Sequence, residues 1–191
     1  MHKLMIITAS TREGRKGPIV ARWIEAEARK DADWEVVTVD LKELNLPMLD
    51  EPEHPRLRHY RHDHTRAWSE QVDTADAFIV VTPEYNFSAP PALVNALDYL
   101  FVEWQYKPMG FVSYGGVSGG TRAVQMIKQI VTSLKIVPMV EAVGIPFFSQ
   151  FIDGEGRFAA NQQTESGAHG MLAELKKWTS PLKAMRAPHE R

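Results

Sequence analysis

The sequence predicts an α/β fold, a parallel sheet held between two layers of helices. Short apolar, β-branched-rich runs alternate with longer stretches of helical periodicity, the pattern of strands buried on both faces. Turn-forming residues collect just after the first, third and fourth of those runs, at what would be one end of the sheet. Leu4–Ile7 is the first strand, bounded by the turn-rich Thr8–Pro18. Gly17-Pro18 opens a helix, because proline suits the first turn, where its missing N–H costs nothing. Ile19, Val20, Trp23, Ile24 and Ala28 form that helix's apolar stripe. Trp34–Asp40 and Ala77–Val81 are the second and third strands, the latter continuous enough to be buried on both faces. A helix over Pro91–Phe101 follows, then a strand over Met109–Tyr114 and a helix over Thr121–Leu134. Ile136–Val143 is the fifth strand, placed at an edge by Pro138. The last helix spans roughly residues 165–184, with Met171, Leu172, Leu175, Trp178 and Leu182 turned inward. Leu46–Arg66, with three prolines and four histidines, reads as a long connection covering a sheet end.

Five strands alternating with helices in 191 residues suit a flavodoxin-like or half-Rossmann arrangement within one domain, residues 1–191. In either, ligands sit beyond the carboxyl ends of the strands. Composition narrows the function classes. With 44% apolar and 24% charged residues the chain is globular, and a net charge of −2 gives no field for nucleic acid. The absence of cysteine excludes disulfides, thiolate catalysis, iron–sulfur ligation and cysteine zinc sites. The apolar run near the N-terminus is too short for a secretory signal, and none approaches spanning length. A cytoplasmic, membrane-free protein is expected.

After the first strand, Thr8-Ala9-Ser10-Thr11-Arg12-Glu13-Gly14-Arg15-Lys16-Gly17-Pro18 sets hydroxyls, bases and glycines before a helix N-terminus. Free amides and the helix dipole favour a phosphate there, with Ser10 or Thr11 as donors and Arg12, Arg15 or Lys16 as charge. Neither a P-loop nor a Gly-x-Gly-x-x-Gly turn is present, so a monophosphate fits better than a nucleotide triphosphate or dinucleotide. After the third strand, Thr82-Pro83-Glu84-Tyr85-Asn86 offers a stiff backbone and a flat ring, and amides around Glu84–Asn86 suit a heterocycle edge. After the fourth, Ser113-Tyr114-Gly115-Gly116-Val117-Ser118-Gly119-Gly120 lets backbone approach a ligand closely.

Together these loops resemble those of the NADPH-dependent FMN reductases, a flavodoxin-like family of flavin, quinone, azo-dye and chromate reductases. Thr82–Asn86 with Ser88, Pro90, Leu93, Asn95, Ala96 and Asp98 carries most of the likeness, and Ser113–Gly116 through Gly119–Ala123 the next share. The first loop departs from the family's Gly-Ser and later Ser-x-Asn, having Ala9-Ser10 and Gly17-Pro18-Ile19. The resemblance implies a three-layer sandwich with a five-stranded parallel sheet of order 2-1-3-4-5. It implies that Ser10, Arg12, Lys16, Gly17, Pro18 and Ile19 hold the FMN phosphate. Pro83, Glu84, Tyr85 and Asn86 would lie along the isoalloxazine and ribityl chain, and Ser113, Gly115 and Gly116 on its other side. It further implies NADPH or NADH as hydride donor, a flavin, quinone or similar small acceptor, no obligatory catalytic side chain, and a homodimer, with dimer against tetramer left open.

Two rivals stand beside it. A flavodoxin-type carrier would bind FMN without turning over NADPH. A serine hydrolase would use Ser118 in Gly116–Gly120 as a nucleophile elbow, with Asp153 and His169 following in hydrolase order. The histidines His54, His59, His62 and His64 are interleaved with arginines, which opposes a metal cation, so no metal site is expected. Phe101, Trp104 and Tyr106 remain open between core, dimer face and flavin cover.

Overall fold

A computed structural model describes residues 1–186. The strands β1 (His2–Thr8), β2 (Trp34–Asp40), β3 (Ala77–Pro83), β4 (Pro108–Tyr114) and β5 (Val137–Ile145) form one sheet of order 2-1-3-4-5. All four pairings are parallel, with Leu4 opposite Val36 and Ala77, Phe78 opposite Met109, and Phe111 opposite Ala142. Side-chain alternation divides the core in two. Met5, Ile7, Phe78, Val80, Met109 and Phe111 face one cluster, and Leu4, Ile6, Ile79, Val81 and Val112 face the other. The helices α1 (Gly17–Ala28) and α6 (Gln162–Met185) cover the second. The short α2 (Leu41–Leu44) with α3 (Asp63–Thr74), α4 (Pro91–Asp98) and α5 (Thr121–Ser133) covers the first. β3 is buried throughout, as a strand sealed by helices on both faces must be. β5 lies at the edge and its register slips between Met109 and Phe111 of its neighbour, which accommodates Pro138.

Several boundaries differ from the sequence expectation for physical reasons. The Leu46–Arg66 connection straps α4 rather than a sheet end. The Asn95 side chain donates to Pro47 O (2.7 Å) and accepts from Leu49 N (2.9 Å), while Tyr99 Oη donates to Pro47 O (3.1 Å) and Asp50 (3.0 Å). The end of that connection continues into α3, whose buried Trp68 donates its indole N–H to Ala96 O (2.9 Å). α4 stops at Asp98, and a 3-10 turn over Val102–Trp104 places Trp104 in the core against Trp68 and Phe78. Trp104 is thus core. α6 starts at Gln162 because Asn161 and Thr164 form a capping box. Its inward stripe runs Leu175, Thr179, Leu182, which leaves Trp178 45% exposed rather than inward.

Candidate functional site

At the carboxyl end of the sheet, the loops after β1, β3, β4 and β5 enclose a pocket of about 330 Å³. Arg12, Gly14, Arg15 and Lys16 come from the first loop, and Pro83, Glu84 and Tyr85 from the second. Tyr114, Gly115 and Gly116 follow β4, and Phe147, Phe148 and Ser149 follow β5.

The first loop leaves a buried hydroxyl and a helix N-terminus without protein partners. Ala9 N–H donates to Val81 O (2.9 Å), and the next residue, Ser10, is buried with its hydroxyl lacking any hydrogen-bond partner. Such an orphan costs about 1–3 kcal/mol unless a ligand meets it. α1 begins beside it with no side-chain cap from Lys16 and no acid in its first turn, so its dipole is uncompensated. Gly17 is required here by close approach: a Cβ would lie 2.3 Å from Ser10 Oγ and 3.0 Å from Tyr114 Oη. The charge of Arg15 is already engaged. Its Nη1 donates to both oxygens of Asp40 (2.6 and 2.7 Å) and to Ser10 O (3.0 Å), which pins the serine backbone. Arg12 and Lys16 keep cationic heads in the wall, with the Arg12 guanidinium 5.6 Å from the centre of the Tyr85 ring.

In the second loop, Tyr85 N–H donates to Ser88 O (2.8 Å) and Ser88 N–H returns a bond to Tyr85 O (2.9 Å). This tight turn puts both Asn86 (φ 51°) and Phe87 (φ 66°) in the left-handed region. The Tyr85 amide is therefore not free for a heterocycle edge. The Glu84 carboxylate points away into structure. It accepts from Ser118 Oγ (2.9 Å), Arg122 N (3.2 Å) and Arg122 Nη1 (3.1 Å), an acid at the N-terminus of α5. In the third loop Gly120 caps α5 with φ 81°, and the Ser113 hydroxyl closes the turn by donating to Gly119 O (2.8 Å).

Of the residues named from the sequence, Arg12, Lys16, Pro83, Glu84, Tyr85, Gly115 and Gly116 meet in the pocket wall, and Ser10 and Gly17 pack together beside it. Pro18 and Ile19 lie within the first turn of α1, Asn86 lies in the tight turn, and Ser113 is buried; these four are outside the wall. Sequence reasoning missed Tyr114 and the whole β5 loop. Phe147 N–H donates to Gly116 O (2.9 Å) and Phe148 N–H to Gly115 O (3.2 Å), folding that loop back onto the glycines. The aromatic pair following an apolar strand was the available signal.

The hydrolase constellation does not assemble. Ser118 is bonded to Glu84, Asp153 pairs with Arg157 (3.1 Å), and His169 faces Glu27 (3.4 Å). The histidines find local partners: His62 stacks on His64 with centroids 5.1 Å apart, and His64 lies 3.1 Å from Asp50. Among the described residues no helix is long and apolar enough to cross a membrane.

The sequence model of a family described as NADPH-dependent FMN reductase matches residues 2–150. An NAD(P)H-dependent FMN reductase of Schizosaccharomyces pombe is 38% identical over 148 residues, covering 75% of this chain and 74% of its own. A shorter stretch of 78 residues is 38% identical to the quinone reductase of Escherichia coli K12, covering 38% of this chain and 42% of that one. In three dimensions the flavoenzyme NAD(P)H:(acceptor) oxidoreductase FerB of Paracoccus denitrificans superposes with a TM-score of 0.75, over 95% of this chain and 98% of that one. At 18% identity that likeness is one of fold. On these matches the chain belongs to the NADPH-dependent FMN reductase family and is an FMN-dependent oxidoreductase supplied by NAD(P)H.

Proposed function

We propose that the four-loop pocket is the FMN site, with the phosphate at Ser10, Arg12, Lys16 and the Gly17–Ile19 helix start. Pro83–Asn86 and Gly115–Gly116 would flank the rest of the flavin. One observation carries this placement: a buried hydroxyl without a partner stands beside an uncapped helix N-terminus. Ser113 would serve by holding the glycine turn rather than by touching the ligand, since its hydroxyl is engaged by Gly119 O. Bound there, FMN supplies the two-electron chemistry that no side chain of this cysteine-free protein could. The chain's own residues do the positioning. Asp40 and Arg15 fix the Ser10 backbone, and Glu84, Ser118 and Arg122 tie the second loop to the third.

The acceptor in this reading is a small planar oxidant of the quinone class. The similarity to a quinone reductase supports it, as does the exposed apolar ring of Phe147 on the pocket wall, 51% exposed. The protein acts as a cytoplasmic homodimer of one-domain subunits. A reduced nicotinamide donor is an intracellular metabolite, and Met48, Leu49, Pro91 and Val94 form an apolar hollow beside the second loop that a second copy would cover. Purified protein titrated with FMN and then NADPH without oxygen should first turn yellow and then bleach. Reoxidation should be faster with quinones than with azo dyes, free flavin or chromate. Protein that ignores FMN would overturn the site, and bound FMN that no quinone reoxidises would overturn the acceptor class.

A further inference from the structure

We propose that the Tyr114 hydroxyl is a phosphate donor in this site, acting with Ser10 so that the protein selects FMN over the same flavin lacking its phosphate. The inference rests on the FMN reading above. Three groups converge at the start of α1. A Cβ on Gly17 would touch Ser10 Oγ at 2.3 Å and Tyr114 Oη at 3.0 Å, so both hydroxyls border the first helical residue. Ser10 Oγ is buried and without a protein partner, and Tyr114, buried in the α1-side core, lines the pocket. A packing role explains only the ring of Tyr114, which sits edge-on to Phe148 at 5.1 Å; phenylalanine would pack as well. The hydroxyl, which packing does not need, faces the Ser10 hydroxyl at the start of α1.

The chemistry of the anion agrees. A phosphate monoester presents three terminal oxygens with many acceptor positions, and Arg15 can contribute little because Asp40 holds its guanidinium. Neutral hydroxyls must complete what Arg12, Lys16 and the helix amides begin. Burial raises the Tyr114 phenol to about 12, with the neighbouring Ser10 hydroxyl and the charges of Arg15 and Arg12 acting the other way, so it remains a donor across the working pH range.

Quenching of flavin fluorescence measures this without turnover. Wild-type protein, Tyr114→Phe and Ser10→Ala are each titrated with FMN and with riboflavin, and thermal unfolding shows that each variant is folded. Wild type should bind FMN much more tightly than riboflavin. Each variant should raise the Kd for FMN by about tenfold or more, the usual loss for a hydrogen bond to a charged group, and leave riboflavin unchanged. If Tyr114→Phe weakens both flavins equally, the tyrosine contacts the ring system and the inference is wrong. If it changes neither while Ser10→Ala weakens FMN, Tyr114 plays no part. Wild-type protein that binds neither flavin would instead bring down the FMN reading itself.

Discussion

At the amino end of the sheet Asp76 accepts from Lys183 (3.0 Å), Arg186 (2.8 Å) and the Lys3 amide (3.1 Å), whereas at the carboxyl end Ser10 buries a hydroxyl with no partner. The amino end also has the larger hollow, about 840 Å³ among the described residues. Its walls, however, are cross-linked. Arg58 reaches Asp73 (3.3 Å) and Glu103 (3.2 Å), and the buried Lys107 caps α3 by donating to Val72 O (2.8 Å) and Asp73 O (3.0 Å). Even Glu103, which leaves one oxygen bare, has its charge met by Arg58 and its other oxygen by Ser69 (2.6 Å) and Tyr60 (2.9 Å). Size therefore does not locate the site. The amino end has bare atoms too, in His2 Nδ1, Trp34 Nε1 and one Glu103 oxygen, but its charges are paired; at the carboxyl end the bare Ser10 hydroxyl stands beside an uncapped helix N-terminus.

The largest effect should come from filling the space beside Ser10. Gly17→Ala places a methyl where Ser10 Oγ and Tyr114 Oη already stand, and overpacking of this kind costs about 1–3 kcal/mol. The Kd for FMN should rise by roughly tenfold to hundredfold, read by fluorescence titration. Normal FMN affinity in that variant would mean the cradle is elsewhere.

Asp76→Asn tests the opposite end. Burial alone would raise the Asp76 pKa, but hydrogen bonds from Lys183, Arg186 and the Lys3 amide pull it down to about 2. A carboxyl depressed below its ordinary range contributes stability that is present above about pH 4 and lost as pH falls toward 2. Asp76→Asn should cost about 2 kcal/mol at neutral pH in urea unfolding and flatten the acid limb. Its FMN affinity should match wild type; a loss there would show the two ends to be coupled.

How much of this was legible follows from where the signals are encoded. The strands were readable because burial on both faces writes continuous apolar runs such as Phe78–Val81, while their order came from the family resemblance. α3 was not, since its buried positions are Thr65, Trp68, Ser69 and Val72, a stripe half polar that hides the helical period. The cations of the first loop were visible, but their division of labour was not. Arg15 stays in the pocket wall, but its charge is met by Asp40, at the end of β2. The contacts of the Tyr114 side chain and of the β5 loop were not legible for the same reason: they reach the pocket through tertiary approach, not through local spacing.

A smaller effect sharpens the amino-end picture. Lys107 is 2% exposed, and burial, aided by Arg186, lowers its pKa to about 7. In the folded state it holds its proton less tightly than in the unfolded chain. Stability should therefore rise with pH from about 7 towards the ordinary lysine range, by about 1–2 kcal/mol between pH 7 and pH 9. Lys107→Met should abolish that rise, measured as the pH dependence of the urea midpoint. An unchanged slope would assign the titration to another group.

The smallest effect concerns strain, which the carboxyl end holds in the Asn86-Phe87 turn. Both central residues need positive φ, which asparagine tolerates and phenylalanine does not. Phe87 is nonetheless 68% exposed, so no core burial compensates it. What holds it is Arg122, whose guanidinium lies 4.2 Å from the ring centre and is itself anchored on Glu84 (3.1 Å). An exposed cation–π pair is worth about 0.5–1 kcal/mol and a left-handed non-glycine residue costs about 1–3. Phe87→Gly should therefore leave stability unchanged or raise it by up to about 1 kcal/mol, with FMN affinity intact. A loss of more than about 1 kcal/mol would mean that the Phe87–Arg122–Glu84 stack outweighs the strain, placing part of the fold's stability at the carboxyl end of the sheet as well.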